Sequence, residues 1–368
     1  MKITCGTQPL FEACSNVQRA VSGKTSIPAL EGILFKAAGE EVRLSGFDLE
    51  IGISTSVGAN VSQPGEIVLN ARLLCDILRK LPGESVVIES DERHLTKITS
   101  SVTEYSLIGI SAEDYPELPV VSGGMPITIE RNLLRDMIKK TIFAAAVNDS
   151  KPVITGVRFE ITEGKIRLIA LDGYRMAVSG ENLKYDGEEL QFVVPAKTLS
   201  EISKIFGEGP EDISIGVGKR HISFEAGSYS VVSRLLDGEF LDYNSAIPTS
   251  FTTKARVKTK DFLDSIERTS LLVVDKIKNP MRCIFDENII KISTTTTLGK
   301  AFDQTEAGIE GERVEIGFNN RYMIDALNAV DTDEIIVELG GPVSPAKILP
   351  PEGDSFLFLV LPVRLRND

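Results

Sequence analysis

The sequence predicts an α+β fold of three tandem repeated domains, with antiparallel sheets and two helices in each domain. Two observations carry that reading. A strand, turn and helix recur three times without gaps, and a second amphipathic helix recurs near the start of each repeat.

The first recurring segment is Ile67–Arg79, which aligns with Phe192–Lys204 and again with Ile316–Asn328. Each copy is an apolar strand followed by a helix that opens on a basic residue, Arg72, Lys197 or Arg321. Four positions later each carries an acid, Asp76, Glu201 or Asp325, an order that permits an i,i+4 ion pair of the weaker orientation. Another apolar strand follows every copy, at Val86–Ile88, Ile213–Ile215 and Ile335–Val337.

The second recurring helix begins at Leu10–Cys14, Leu133–Met137 and Phe262–Ile266. The first two repeats end in turn-like exits, Glu113–Pro119 and Phe240–Pro248. This spacing sets domains at 1–121, 122–249 and 250–368. Repetition that stops after three copies leaves open ends, and an identical partner chain would remove them, so a homodimer is expected.

Composition bounds the function. With 42% hydrophobic and 25% charged residues the whole chain reads as globular. A net charge of −13 and a pI near 4.9 exclude a protein that grips nucleic acid over its general surface. The N-terminus enters alternating sequence with no leader pattern, and the longest apolar run, Phe356–Pro362, is too short to cross a bilayer. The expected location is the cytoplasm, with no membrane partner. Cys5, Cys14, Cys75 and Cys283 are scattered and only His94 and His221 accompany them, so buried free thiols are expected rather than a zinc site.

The basic residues nevertheless segregate. In the helix near 131–142, Leu133, Leu134, Met137 and Ile138 form an apolar side while Arg131, Arg135 and Lys139 recur on another. In the repeated second helix, Ile77, Leu78 and Leu81 oppose Arg72 and Arg79, and Ile202, Ile205 and Phe206 oppose Lys197 and Lys204. The third copy offers Arg321. Faces of this kind would attract phosphates without reading sequence, and such contacts let a protein move along a duplex.

Catalytic patterns are missing. Gly23-Lys24-Thr25 lacks the upstream glycine of a phosphate-binding loop, and Gly216-Val217-Gly218-Lys219-Arg220 places an arginine where the hydroxyl should be and reads as a hairpin turn. Neither a nucleophile elbow nor a metalloprotease motif occurs. No catalytic residue and no cofactor is expected. A hydrolase using carboxylates and a monomeric peptide-binding adaptor are the competing readings, and oligomeric state separates the latter from a dimer.

Taken together, the triple repeat, Asp172-Gly173-Tyr174-Arg175-Met176-Ala177, the Phe240–Pro248 exit and the ending Val360-Leu361-Pro362-Val363-Arg364-Leu365 resemble the β subunit of bacterial DNA polymerase III, the bacterial sliding clamp. The resemblance covers Met1 to about Leu365. It implies the DNA clamp fold, a head-to-tail homodimer closed into a ring, helices lining a hole for double-stranded DNA, and no catalysis. The ring would tether the replicative polymerase and raise its effective concentration at the primer end.

The resemblance also implies a pocket for a short peptide found on the polymerase, the clamp loader and repair proteins. Its positions here are Ile154, Leu171, Gly173, Tyr174, Arg175 and Met176, then Leu241 and Ala246, then Val343 and Pro345. The last segment supplies Leu359, Val360, Leu361, Pro362, Val363, Arg364 and Leu365. Apolar members would bury Leu or Phe anchors, and Arg175 or Arg364 would give a polar contact. Leu241, Ser245, Leu361 and Val363 depart from the family pattern, which implies a stiffer pocket with narrower peptide preference.

For DNA the resemblance adds Lys24 and Asn148 to the helix residues already named. For the dimer it implies that Tyr105 and Leu107, on an edge strand, meet Leu271 and Leu272 of the second copy.

Overall fold

The computed structural model of the chain describes residues 1–365 except 24, 149, 163 and 274–279. Its elements follow the repeat.

The first repeat holds β1 (Lys2–Gly6), α1 (Thr7–Val17), β2 (Gly32–Ala38), β3 (Glu41–Phe47), β4 (Ile51–Gly58), β5 (Asn60–Gln63), β6 (Gly65–Asn70), α2 (Ala71–Leu78), β7 (Ser85–Ser90), β8 (Leu95–Ser100) and β9 (Thr103–Ile108). The second holds β10 (Ile127–Glu130), α3 (Arg131–Ile142), β11 (Gly156–Thr162), β12 (Lys165–Leu171), β13 (Arg175–Asn182), β14 (Leu190–Pro195), α4 (Ala196–Phe206), β15 (Asp212–Val217), β16 (His221–Ala226) and β17 (Tyr229–Arg234). The third holds β18 (Thr253–Lys258), α5 (Thr259–Ser270), β19 (Met281–Asp286), β20 (Ile289–Thr296), β21 (Gly299–Gly311), β22 (Val314–Phe318), α6 (Asn320–Ala329), β23 (Glu334–Leu339), β24 (Ala346–Leu349) and β25 (Phe356–Val360).

Apart from β5, all three repeats therefore run in the same order, strand, helix, four strands, helix, three strands. Every ladder between these strands is antiparallel. Alternate residues face the core, as Ile3 and Cys5 do in β1 and Ile222 and Phe224 do in β16. The helices bury one stripe each: Thr7, Leu10, Cys14 and Val17 in α1, and Phe262, Ser265, Ile266 and Thr269 in α5.

The second-helix starts differ in a way the sequence explains. Asn70 caps α2 by accepting from the Leu73 amide at 3.0 Å, and Asn319 caps α6 by accepting from the Arg321 amide at 3.0 Å. The equivalent residue before α4 is Pro195, which has no side-chain acceptor.

Met1–Asn132 and Lys197–Leu235 form one compact body. It contains a five-stranded sheet in the order β5-β1-β7-β8-β9 and an eight-stranded sheet in the order β10-β15-β16-β17-β4-β3-β2-β6. Leu133–Ala196 and Leu236–Asp368 form the other body, around a twelve-stranded sheet in the order β14-β11-β12-β13-β25-β24-β23-β18-β21-β20-β19-β22.

Within each body one strand pairing joins successive repeats. In the first, β17 of the second repeat lies beside β4 of the first, with Val231 opposite Ile53. In the second, β25 of the third repeat lies beside β13 of the second, with Phe358 opposite Ala177. Both pairings match the third residue of one strand with the third residue of the other.

The expected i,i+4 pairs on the second helices do not form. Asp76 is taken by Arg79, Glu201 by Lys204 at 2.8 Å and Arg19 at 3.1 Å, and Asp325 by Arg175. Lys197 instead reaches Asp48 at 2.7 Å. The local i,i+4 pair has the weaker orientation, and the acids are met instead by a basic residue three positions on, for Asp76 and Glu201, or by an arginine of the preceding repeat, for Glu201 and Asp325. Glu201 and Asp325, equivalent in the repeat, each accept an arginine from the repeat before their own.

Candidate peptide pocket and basic helix faces

The peptide pocket residues expected from the sequence all fall in the second body. Ile154, Leu171, Met176 and Leu359 join Val153, Phe240 and Tyr243 in one buried apolar cluster. Close to its members in the chain are exposed apolar groups: Tyr174 at 62%, Leu241 at 39%, and Leu361 and Val363 at 37% each. Val343 is more exposed at 79%, Ala246 is exposed on a short turn, and Pro345 is half-buried.

Local sequence explains how these pieces are held. Asp172 accepts from the backbone amides of Tyr174 (2.9 Å) and Arg175 (3.0 Å), closing the turn between β12 and β13. Gly173 takes φ +85° there, a conformation in which a side chain would be strained. After β25 the chain keeps contact through two backbone bonds, from the Leu361 amide to the Tyr174 carbonyl at 2.9 Å and from the Val363 amide to the Gly317 carbonyl at 2.8 Å. A Cβ on Gly317 would lie 2.4 Å from that Val363 oxygen, so this strand position requires glycine.

Along β25 burial does not simply alternate. Phe356, Phe358 and Val360 are buried while Leu361 and Val363 are open, but Leu359 is buried as well because both sides of β25 are covered.

Arg175, expected as a polar contact for the peptide, is engaged within the chain. Its side chain is only 10% exposed, its Nε donates to Asp172 at 3.0 Å, and its Nη1 donates to Asp325. The guanidinium also lies 4.5 Å from the Tyr322 ring centroid and 5.6 Å from that of Phe143. These two hydrogen bonds use two of the five guanidinium donors, and Arg364 is the more exposed of the two expected polar contacts.

A cavity of about 470 Å³ lies elsewhere in this body, lined among others by Lys165, Arg167, Glu181, Tyr243, Asp354 and Phe356. None of the expected pocket residues lines it. Its mixed charges suit water better than an apolar anchor.

The basic faces sort into two kinds. Arg72, Arg79, Lys139, Lys197, Lys204 and Arg321 are exposed, as is Asn148. Arg131 is a correction: it is 9% exposed and donates to the Phe206 carbonyl at 3.1 Å and to Glu211. Its aliphatic stem starts α3 over the core, so the head turns to local acceptors rather than outward. Arg135 is half-buried. Lys140, which the sequence reading passed over, is 5% exposed and held by Asp136 and by Asp331 at 3.4 Å. Burial works against its charge, but the two carboxylates outweigh it and raise its pKa. Lys24 lies outside the described residues.

The four cysteines are buried free thiols. Burial pushes Cys5 and Cys75 up to about 11 and Cys283 up to about 12. Among the described residues no three His, Cys, Asp or Glu side chains gather as a metal site. No helix is long and apolar enough to cross a membrane.

At the ends of the repeat, β9 is an edge strand carrying exposed Tyr105, half-buried Leu107 and exposed Ile108. Leu271 is 83% exposed and Leu272 half-buried, near the β20–β21 hairpin where Leu298 is 68% and Phe302 66% exposed.

Comparison with known proteins agrees with the repeat. Residues 1–119 match the DNA polymerase III beta subunit N-terminal domain, 128–242 its central domain, and 244–364 its C-terminal domain. The Staphylococcus aureus beta sliding clamp is 32% identical, with 99% of each chain covered. The Bacillus subtilis DNA polymerase sliding clamp superposes with a TM-score of 0.96 at 34% identity over 100% of both chains. The Thermotoga maritima DNA polymerase III beta subunit gives 0.91 at 27% identity, covering 99% of this chain and 100% of that one. The chain belongs to the DNA polymerase III beta subunit family and is a sliding clamp of three clamp domains, a non-catalytic processivity factor.

Proposed function

We propose that two copies of this chain close head to tail into a ring around duplex DNA in the cytoplasm, and that the ring tethers the replicative polymerase. The carrying observation is the repeated strand pairing. The edge in β9 occupies the place of β17 and β25, and the outer edge of Gly299–Glu306 in β21 occupies the place of β4 and β13. Each of the other two such edges is covered by the next repeat. The remaining two fit each other only in a second copy, which would cover exposed strand edges and the apolar groups beside them. Domain limits of 1–121, 122–249 and 250–368 accord with this order.

The exposed basic residues of the helices would meet phosphates without base readout, leaving the ring free to move along the duplex. The apolar surface around Tyr174, Leu241, Leu361 and Val363 would take Leu or Phe anchors from the polymerase, the clamp loader and repair proteins. Sedimentation tests the ring: the chain should run as a dimer, and Tyr105→Arg with Leu107→Glu should run as a folded monomer. A wild-type monomer at micromolar concentration would overturn the proposal.

A further inference from the structure

We propose that Asp325, on α6 and absent from the pocket wall, is a positioning residue for peptide recognition that acts through Arg175. The inference rests on the peptide-pocket reading above.

The chain of contacts is short. Asp325 accepts from Nη1 of Arg175, whose Nε donates to Asp172 at 3.0 Å. Asp172 in turn fixes the amides of Tyr174 and Arg175. The Tyr174 ring stacks near Tyr322 of α6, with centroids 6.4 Å apart. The Tyr174 carbonyl accepts from the Leu361 amide at 2.9 Å, so the turn also sets where Leu361 stands. One carboxylate on α6 therefore reaches two walls of the pocket through a single buried guanidinium.

Removing that carboxylate leaves Arg175 buried with one partner fewer, an arrangement that drives the guanidinium to seek water or to pull on Asp172. Asp172 is also the acceptor for the Tyr174 and Arg175 amides, so a pull on its carboxylate is passed to the turn. The use of an acid here is not local chance. Glu201, at the same place in the preceding repeat, likewise receives an arginine, Arg19, from the repeat before. Two of the three copies thus use the second-helix acid to fasten the preceding repeat, and in the later one the fastened part carries the pocket turn.

The experiment measures binding of a fluorescein-labelled synthetic peptide with Leu and Phe anchors, taken from the cognate replicative polymerase, to the full-length dimer. Fluorescence anisotropy is read well below the melting temperature of each variant. Asp325→Asn should weaken the peptide about tenfold, and Asp325→Glu should recover most of that loss. Arg175→Gln should weaken it similarly, and the double variant should be no weaker than either single one, as expected for residues acting in series. Wild-type affinity in Asp325→Asn, or additive losses in the double variant, overturns the inference while leaving the pocket intact. A wild-type protein that fails to bind the peptide, or a Leu361→Asp variant that binds it normally, overturns the pocket reading and this inference with it.

Discussion

The repeat fixes a register for the junction between two copies, and cysteine crosslinking reads it directly. At both junctions inside the chain the third residues of the paired strands face each other, Val231 with Ile53 and Phe358 with Ala177. The third residue of β9 is Tyr105 and that of β21 is Ala301. Directly opposite residues in an antiparallel pair have Cα atoms about 4.5 to 5.5 Å apart, inside the roughly 4.4 to 6.8 Å that a disulfide spans. A slip of two residues opens the separation to about 7 to 8 Å, beyond that reach. Tyr105→Cys combined with Ala301→Cys in one chain should therefore oxidise to a dimer closed at both junctions. Tyr105→Cys with Asp303→Cys should crosslink poorly. The native thiols are buried and held protonated by burial, so they will not compete. Non-reducing electrophoresis gives the answer. Efficient crosslinking of the 105–303 pair but not the 105–301 pair would refute the register, and no crosslinking of either would refute the junction.

Three other outcomes follow from named contacts. Arg131→Ala should cost roughly 1–3 kcal/mol in denaturant unfolding, because it strips partners from the Phe206 carbonyl and Glu211, yet leave DNA affinity unchanged. Arg72 and Arg321 are exposed with no ion pair among the described residues, so replacing both by Ala removes four charges from a ring of two copies and should lower the slope of log affinity against log salt by up to about 3.6 in anisotropy titrations on linear duplex. Burial pushes the Glu201 carboxyl up, but hydrogen bonds from Lys204 and Arg19 outweigh it and its pKa is lowered. A lowered carboxylate stabilises the fold above its unfolded value of about 4.5 and ceases to do so as pH falls through the folded value. The stability gap between wild type and Glu201→Gln should thus be full at pH 7 and vanish in acid, measured by urea titration at each pH.

The repeat was legible because each copy must satisfy the same physics, an apolar strand and a helix with a buried stripe, and those periodicities survive in sequence. The strands and helices around Ile67–Arg79 and its two copies follow that pattern. What sequence reasoning missed are contacts between repeats. Glu201 and Asp325 looked like local helix partners, since nothing in a linear pattern announces that Arg19 or Arg175 will arrive from another repeat. Arg131 and Lys140 looked exposed or went unnoticed because helical spacing places a Cβ but not the end of a long side chain. The expected pocket residues were named only through family resemblance. Its cluster mixes Ile154, Met176, Phe240 and Leu359, residues far apart in the chain and individually indistinguishable from ordinary core.

The most direct test of the clamp account is retention on circular DNA. Purified protein is loaded with its cognate loader and ATP onto a nicked circle at moderate salt, and the DNA is then linearised. The account predicts stable retention on the circle and rapid loss once free ends exist, because a ring without base contacts slides off. Equal retention before and after linearisation would contradict it, since it would mean that ordinary electrostatic contacts rather than encirclement hold the protein.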